Sequence, residues 1–128
     1  MTKGHGKRAP SQRQLRIGEA VRKALSEVFL KQDVTDPDLE GVVLTVSEVR
    51  PSPDLKNATV YVLPLGGENQ ENVVAALIRH KRYIRGELAR LVSLRHVPEL
   101  VFELDPTFDR AGRMDALLRS SDVARDID

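Results

Sequence analysis

The sequence predicts an α+β fold, a three-stranded sheet with helices packed on one face, in the order α-β-β-α-α-β. Three observations carry this prediction. Apolar residues recur at helical spacing near the N-terminus and again within residues 71–92. Two β-branched runs are joined by a proline-containing turn. A third run, Leu100, Phe102 and Leu104, alternates with polar residues after Pro98. Helices gathered on one side of a small sheet are characteristic of the α+β class.

Each element has its own signal. Ser11 is an N-cap candidate, and Ile17, Val21, Ala24, Leu25, Val28 and Phe29 follow at helical spacing, so a first helix is predicted over residues 11–31. Asp36-Pro37-Asp38 ends it. Residues 42–49 read as a strand, Pro51-Ser52-Pro53-Asp54 as a turn, and residues 58–63 as a second strand. In that strand Ala58, Val60 and Val62 share one face and Thr59, Tyr61 and Leu63 the other. Neighbouring strands with a short connection predict an antiparallel hairpin, ended by Gly66-Gly67. Glu71 and Asn72 open the second helical region. Residues 1–10 are expected to form a disordered basic tail, residues 11–105 the folded domain, and residues 106–128 a flexible acidic tail in which residues 114–118 read as a short helical turn.

The second helical region conflicts with a single straight helix. At about 100° per residue, Val73, Val74, Leu77, Ile84, Leu88 and Leu91 make one apolar stripe, and Lys81 falls in its centre with His80 at the edge. Either Lys81 snorkels along its methylenes or the helix bends near residues 79–82. The pattern favours the bend, which would present His80, Lys81 and Arg82 together. Helix-bend-helix followed by a strand is the core of a KH-like RNA-binding domain. Such domains normally carry Gly-x-x-Gly in the bend for close approach of a nucleic-acid backbone. No Gly-x-x-Gly occurs here, and Gly86 is the only glycine near the bend.

Composition narrows the function. The chain has 128 residues and 41% hydrophobic content, enough for one domain with one core. No cysteine is present, which excludes disulfides, zinc-thiolate sites and thiol catalysis. No apolar run is long enough to span a membrane, and the basic N-terminus lacks the apolar core of a signal peptide, so a cytoplasmic protein is the default. Net charge is only +1, yet it is segregated: +6 over residues 1–23, −6 over 24–78, +5 over 79–98 and −4 over 99–128. A concentrated basic segment on a small domain is the footprint of a polyanion binder, most often nucleic acid.

Catalytic constellations are poor. His5, His80 and His96 show no ligand pairing at helical spacing. Gly4-x-Gly6-Lys7 has no preceding strand and lacks the other residues of a phosphate loop. Ser120-Ser121 has no base nearby in sequence, and Asp33, Asp36, Asp38 and Glu40 read as a solvated helix exit rather than a cation site. No enzyme activity, cofactor, metal or small-molecule substrate is expected.

Several segments together resemble the bacterial ribosome-binding factor A family. They are Asp36-Pro37-Asp38-Leu39, Val46-Ser47-x-Val49, Pro53-Asp54-Leu55, residues 58–62, Tyr83-Ile84-Arg85, and Leu94-Arg95-His96-Val97-Pro98-Glu99-Leu100-Val101-Phe102 followed by Asp105. The resemblance spans about residues 11–118, and the Leu-Arg-x-Val-Pro-Glu-Leu-x-Phe run is its most specific part. It implies a type II KH-like domain and a non-enzymatic assembly factor. Such a factor binds the free small (30S) ribosomal subunit and promotes late maturation and 5′-end processing of 16S rRNA, with a role in cold adaptation. Family members carry Ala-x-Gly at the bend, where this chain has His80-Lys81-Arg82.

The expected mechanism is binding. Arg and Lys neutralise rRNA phosphates and release counterions, and Arg favours bidentate phosphate contacts. The rRNA-binding candidates are Arg79, His80, Lys81, Arg82, Arg85, Arg90 and Arg95, with a second strip formed by Lys7, Arg8, Arg13 and Arg16. Arg95 has a competing structural role, bracing the turn before Pro98. A monomer bound to the free small subunit and its 16S rRNA is expected. The alternatives are a general KH-like RNA-binding or ribosomal structural protein, and a small RNA-processing enzyme.

Overall fold

The computed structural model describes residues 9–66 and 69–107. The elements run α1 (Gln12–Lys31), a short 3-10 helix (Pro37–Leu39), β1 (Val43–Pro51), β2 (Asn57–Leu65), α2 (Gln70–Arg79), α3 (Lys81–Leu91) and β3 (Glu99–Leu104). The predicted α+β order is present. Residues 1–8 and 108–128, which hold most of both expected tails, and the short turn expected at residues 114–118, lie outside the described residues.

Helix α1 starts where its capping chemistry dictates. The Ser11 hydroxyl accepts the Gln14 backbone N–H at 3.1 Å, and the Gln14 side-chain oxygen accepts the Ser11 N–H at 2.8 Å. Gln14 Nε2 also donates to the Pro51 carbonyl at 3.0 Å, fixing the start of the helix to the end of β1. The apolar stripe Val21, Ala24, Leu25 and Val28 is buried as its spacing predicts. Gly18 is buried too, because α1 approaches β1 too closely there for any side chain.

The sheet has the order β1-β2-β3, with β1 antiparallel and β3 parallel to the central β2. Ala58, Val60 and Val62 are fully buried, on the single face that the alternation predicts. β1 departs from simple alternation. Val46 and Val49 are both buried although three residues apart, because a bulge at Ser47 shifts the register between Val46 and Glu48. The Ser47 hydroxyl is bonded to the Asp105 carboxylate. β1 also extends through Pro51, which is buried and pairs with Ala58, so the turn begins one residue later than predicted. Gly66 follows β2 with φ of 84°, while Gly67 lies outside the described residues.

The second helical region bends. α2 ends at Arg79, α3 begins at Lys81, and His80 between them has φ −101° and ψ 16°. This bridge-region residue turns the axis so that Leu77 and Ile84 both reach full burial while Lys81 between them remains partly exposed. The core is one cluster in which these two join Leu25, Val60, Leu88 and Phe102.

Candidate nucleic-acid interface

The bend sorts the predicted basic residues into two groups. Arg79 and His80 turn toward the 3-10 helix. Arg79 Nη2 lies 3.1 and 3.0 Å from the two Asp36 carboxylate oxygens and 2.9 Å from Asp38 Oδ2. His80 Nε2 lies 2.9 Å from Asp36 Oδ2. Asp36 is therefore no solvated helix exit. Its side chain is only 8% exposed, and it caps the 3-10 helix by accepting the Asp38 N–H at 3.0 Å. That backbone bond first, then His80 and Arg79, lower its pKa from an ordinary 3.8 to about 2. The expected joint presentation of His80 with Lys81 and Arg82 does not occur, because the Asp36 carboxylate draws His80 aside.

Lys81 and Arg82 line a different feature. A groove of about 650 Å³ runs between α3 and the loop leading into β3. One wall carries Lys81, Arg82 and Arg85, and the other carries Arg95 and His96. Gly86 and Ala89 of α3, with Val97 and Glu99, complete the lining. Lys81, Arg82 and Arg95 form no ion pair or side-chain hydrogen bond among the described residues.

Arg85 faces the groove but is occupied. Its Nε donates to the Pro98 carbonyl at 3.0 Å, its Nη2 to the Val97 carbonyl, and its Nη1 lies 3.5 Å from Glu99 Oε2. It is Arg85 that braces the turn before Pro98, the role considered for Arg95, and it thereby positions the wall carrying Arg95 and His96. Arg90 is 77% exposed, 3.4 Å from Glu87, and outside the groove.

The second predicted strip is described only in part. Arg13 and Arg16 are exposed near the start of α1. The Gln14–Pro51 bond places that start at the hairpin-turn end of the sheet. The groove's loop reaches the same end, since the Glu99 N–H donates to the Lys56 carbonyl at 2.9 Å. Lys7 and Arg8 lie outside the described residues. His96, which the sequence reading does not include among the candidates, lines the groove beside Arg95.

A second cavity, of about 250 Å³, lies between α1, the 3-10 helix and β1. Its rim carries Asp33, Asp36 and Glu40, the wrong sign for a polyanion. Among the described residues no cluster could hold a metal ion, and no helix is long and apolar enough to cross a membrane.

Fold and groove together define the class: a type II KH-like α+β domain with a concave basic surface beside its bent helix pair. Its relatives agree. The family described as ribosome-binding factor A matches residues 13–118. The ribosome-binding factor A of Methylocella silvestris is 57% identical over 119 residues, covering 93% of this chain and 77% of that one. That of Paramagnetospirillum magneticum is 52% identical over 123 residues, covering 96% and 87%. The crystal structure of ribosome-binding factor A from Thermus thermophilus is similar with a TM-score of 0.61 at 32% identity, over 71% of this chain and 94% of that one. Coordinates of the Thermus thermophilus protein fitted into a cryo-EM map of a 30S–RbfA complex align with a TM-score of 0.54 at 37% identity, over 66% and 86%. The chain belongs to the ribosome-binding factor A family.

Proposed function

We propose that this protein binds the free small ribosomal subunit and, by non-catalytic contact with 16S rRNA, promotes its late maturation and 5′-end processing, with a role in cold adaptation. It acts as a cytoplasmic monomer, without cofactor or metal. The observation that carries the binding is the convergence of Lys81, Arg82 and Arg95 on one groove with no acidic partner among the described residues. Burying an unpaired cation is costly, but these three are at the surface and free to pair with phosphate. Support for the partner comes from family membership and from a structural relative described within a 30S complex. The maturation and cold roles follow from the family resemblance.

The test is co-sedimentation with separated small subunits, large subunits and joined ribosomes over a salt series. Wild type is expected on free small subunits only, with affinity falling as salt rises. Replacing Lys81, Arg82 and Arg95 together by Gln should make the slope of log K against log salt shallower by roughly 2–3, from about 0.7–0.9 per lost phosphate contact. Equal binding to all particles, or an unchanged slope, refutes the reading. A deletion strain should accumulate 16S precursor with an unprocessed 5′ end, most of all in the cold, and normal processing there would refute the maturation role.

A further inference from the structure

Helix α1 and strand β1 touch at one end and part at the other. At Gly18 the helix lies so close to β1 that no side chain fits between them. At the opposite end, Val28 and Phe29 of α1 and Val42 and Leu44 around the start of β1 line the cavity of about 250 Å³ that the 3-10 helix also borders. The apolar side chains of Phe29, Val34, Leu39 and Leu44 line it only half-buried, so the core is not closed here. On its rim Asp33 and Glu40 are exposed and form no ion pair or side-chain hydrogen bond among the described residues. No Lys or Arg is part of the lining. The third rim carboxylate, Asp36, is held by Arg79 and His80, which ties the 3-10 helix to the bend between α2 and α3. That wall is set before any partner arrives, and a preorganised wall leaves little ordering cost to oppose binding.

We propose that this cavity is a docking site for a basic segment of another protein. The segment, rich in Lys or Arg, seats one apolar side chain against Phe29, Leu39 and Leu44 while its cations meet Asp33 and Glu40. Size, sign and surface chemistry select this occupant. At about 250 Å³ the cavity is smaller than the roughly 300–1,000 Å³ of a drug-sized site and suits a single anchoring side chain. Rim carboxylates without a lining cation repel a phosphate backbone and attract Lys and Arg. Half-buried apolar groups gain from further cover, and a ribose–phosphate backbone offers them none. The chain's own ends fit poorly. Residues 108–128 carry five acids and four arginines. The basic residues 1–8 precede α1, whose 20 residues put about 30 Å between its first turn and the cavity, a span they cover only at full extension. The cavity shares no lining residue with the basic groove, and the proposal stands whether or not that groove binds RNA.

The experiment titrates the full-length protein, followed by amide NMR, with three short synthetic peptides and a short single-stranded RNA. One peptide flanks a central leucine with lysines and arginines, the second has alanine in place of that leucine, and the third flanks the leucine with glutamates. The first should shift the amides of the cavity lining and leave those of Lys81, Arg82 and Arg95 in place. The alanine peptide should bind about tenfold more weakly, and the glutamate peptide and the RNA should leave the cavity amides unmoved. Asp33→Lys with Glu40→Lys changes two exposed residues, so Tm should hold while most of the affinity for the first peptide is lost. Equal binding of the leucine and alanine peptides would reduce the site to general charge attraction and overturn the proposal. Cavity amides that no peptide moves, or that the RNA moves, overturn it too, as does wild-type affinity in the double-lysine variant.

Discussion

Alanine at Gly18 should destabilise the protein, although alanine is the better helix former. The gain from propensity is about 1 kcal/mol. Against it, a Cβ at this position lies 2.6 Å from the Val49 carbonyl oxygen and 3.1 Å from Pro51 Cδ. The first distance is roughly 0.7 Å inside ordinary carbon–oxygen contact. Neither neighbour is the end of a flexible side chain. Val49 pairs with Val60 and Pro51 with Ala58, so both are held by the central strand. The helix must move instead, and the move strains the 3.0 Å bond from Gln14 to the Pro51 carbonyl. Overpacking costs about 1–3 kcal/mol, and the weakened bond about 1 kcal/mol more. The net expectation is a loss of about 1–3 kcal/mol, read as a Tm lower by roughly 4–12 °C. Urea denaturation followed by circular dichroism measures it directly: the midpoint should fall with the slope unchanged. A variant more stable than wild type would refute the account, showing that α1 is free to slide over β1. Gly86→Ala makes the internal comparison, because the same substitution there lacks the obstacle and has the opposite sign.

Two further perturbations test the contacts around the bend and the loop. Asp36→Asn keeps a good N-cap but removes the charge paired with Arg79 and His80. The folded Asp36 carboxyl is held near 2 against an ordinary 3.8, so its contribution to stability is present above about pH 4 and lost as pH falls toward 2. The variant should be less stable than wild type at pH 7, and the gap should close as denaturation is measured at successively lower pH; a gap independent of pH would show that the charge is not what matters. Arg85→Ala removes the donors to the Val97 and Pro98 carbonyls and should cost about 1.5–3 kcal/mol in chemical denaturation. It should also weaken small-subunit binding through the displaced Arg95 wall, whereas Arg85→Lys, with one point charge and no fork, should rescue binding only in part. Full rescue by lysine would make Arg85 a phosphate contact rather than a brace.

Much of this architecture was legible from local pattern. Alternation placed Ala58, Val60 and Val62 on the buried face because a strand's period is fixed by backbone geometry. The bend was visible as a conflict, a lysine in the centre of an apolar stripe, which a helix resolves only by breaking or by snorkelling. The bulge at Ser47 was not legible. It exists to bring Val46 and Val49 to one face, and its position depends on the pairing partner rather than on the strand's own sequence. Nor was the fate of Arg79 and His80, whose carboxylate partner stands more than forty residues away. Arg85 and Arg95 look alike in sequence, and only the path of the loop decides which meets the carbonyls of residues 97 and 98 and which is left free.

The charge blocks acquire a different meaning once folded. Along the chain an acidic block, 24–78, precedes a basic one, 79–98, and in sequence the two read as separate surfaces. In the fold the acidic block supplies Asp36 and Asp38, which neutralise the first residues of the basic block at the bend. Glu87 and Glu99 draw on Arg90 and Arg85. Among the described residues, the cations of this basic block left without an ion pair are Lys81, Arg82 and Arg95, two at the start of α3 and one across the groove. The cations tied to acids make the structure that sets these three apart at fixed positions. The bend held by Asp36 orients the start of α3, and the loop held by Arg85 carries Arg95. If the groove is the RNA surface, as proposed, a phosphate backbone would meet few charges there, on elements held by an ion pair or hydrogen bond elsewhere, so that spacing as well as total charge would govern binding.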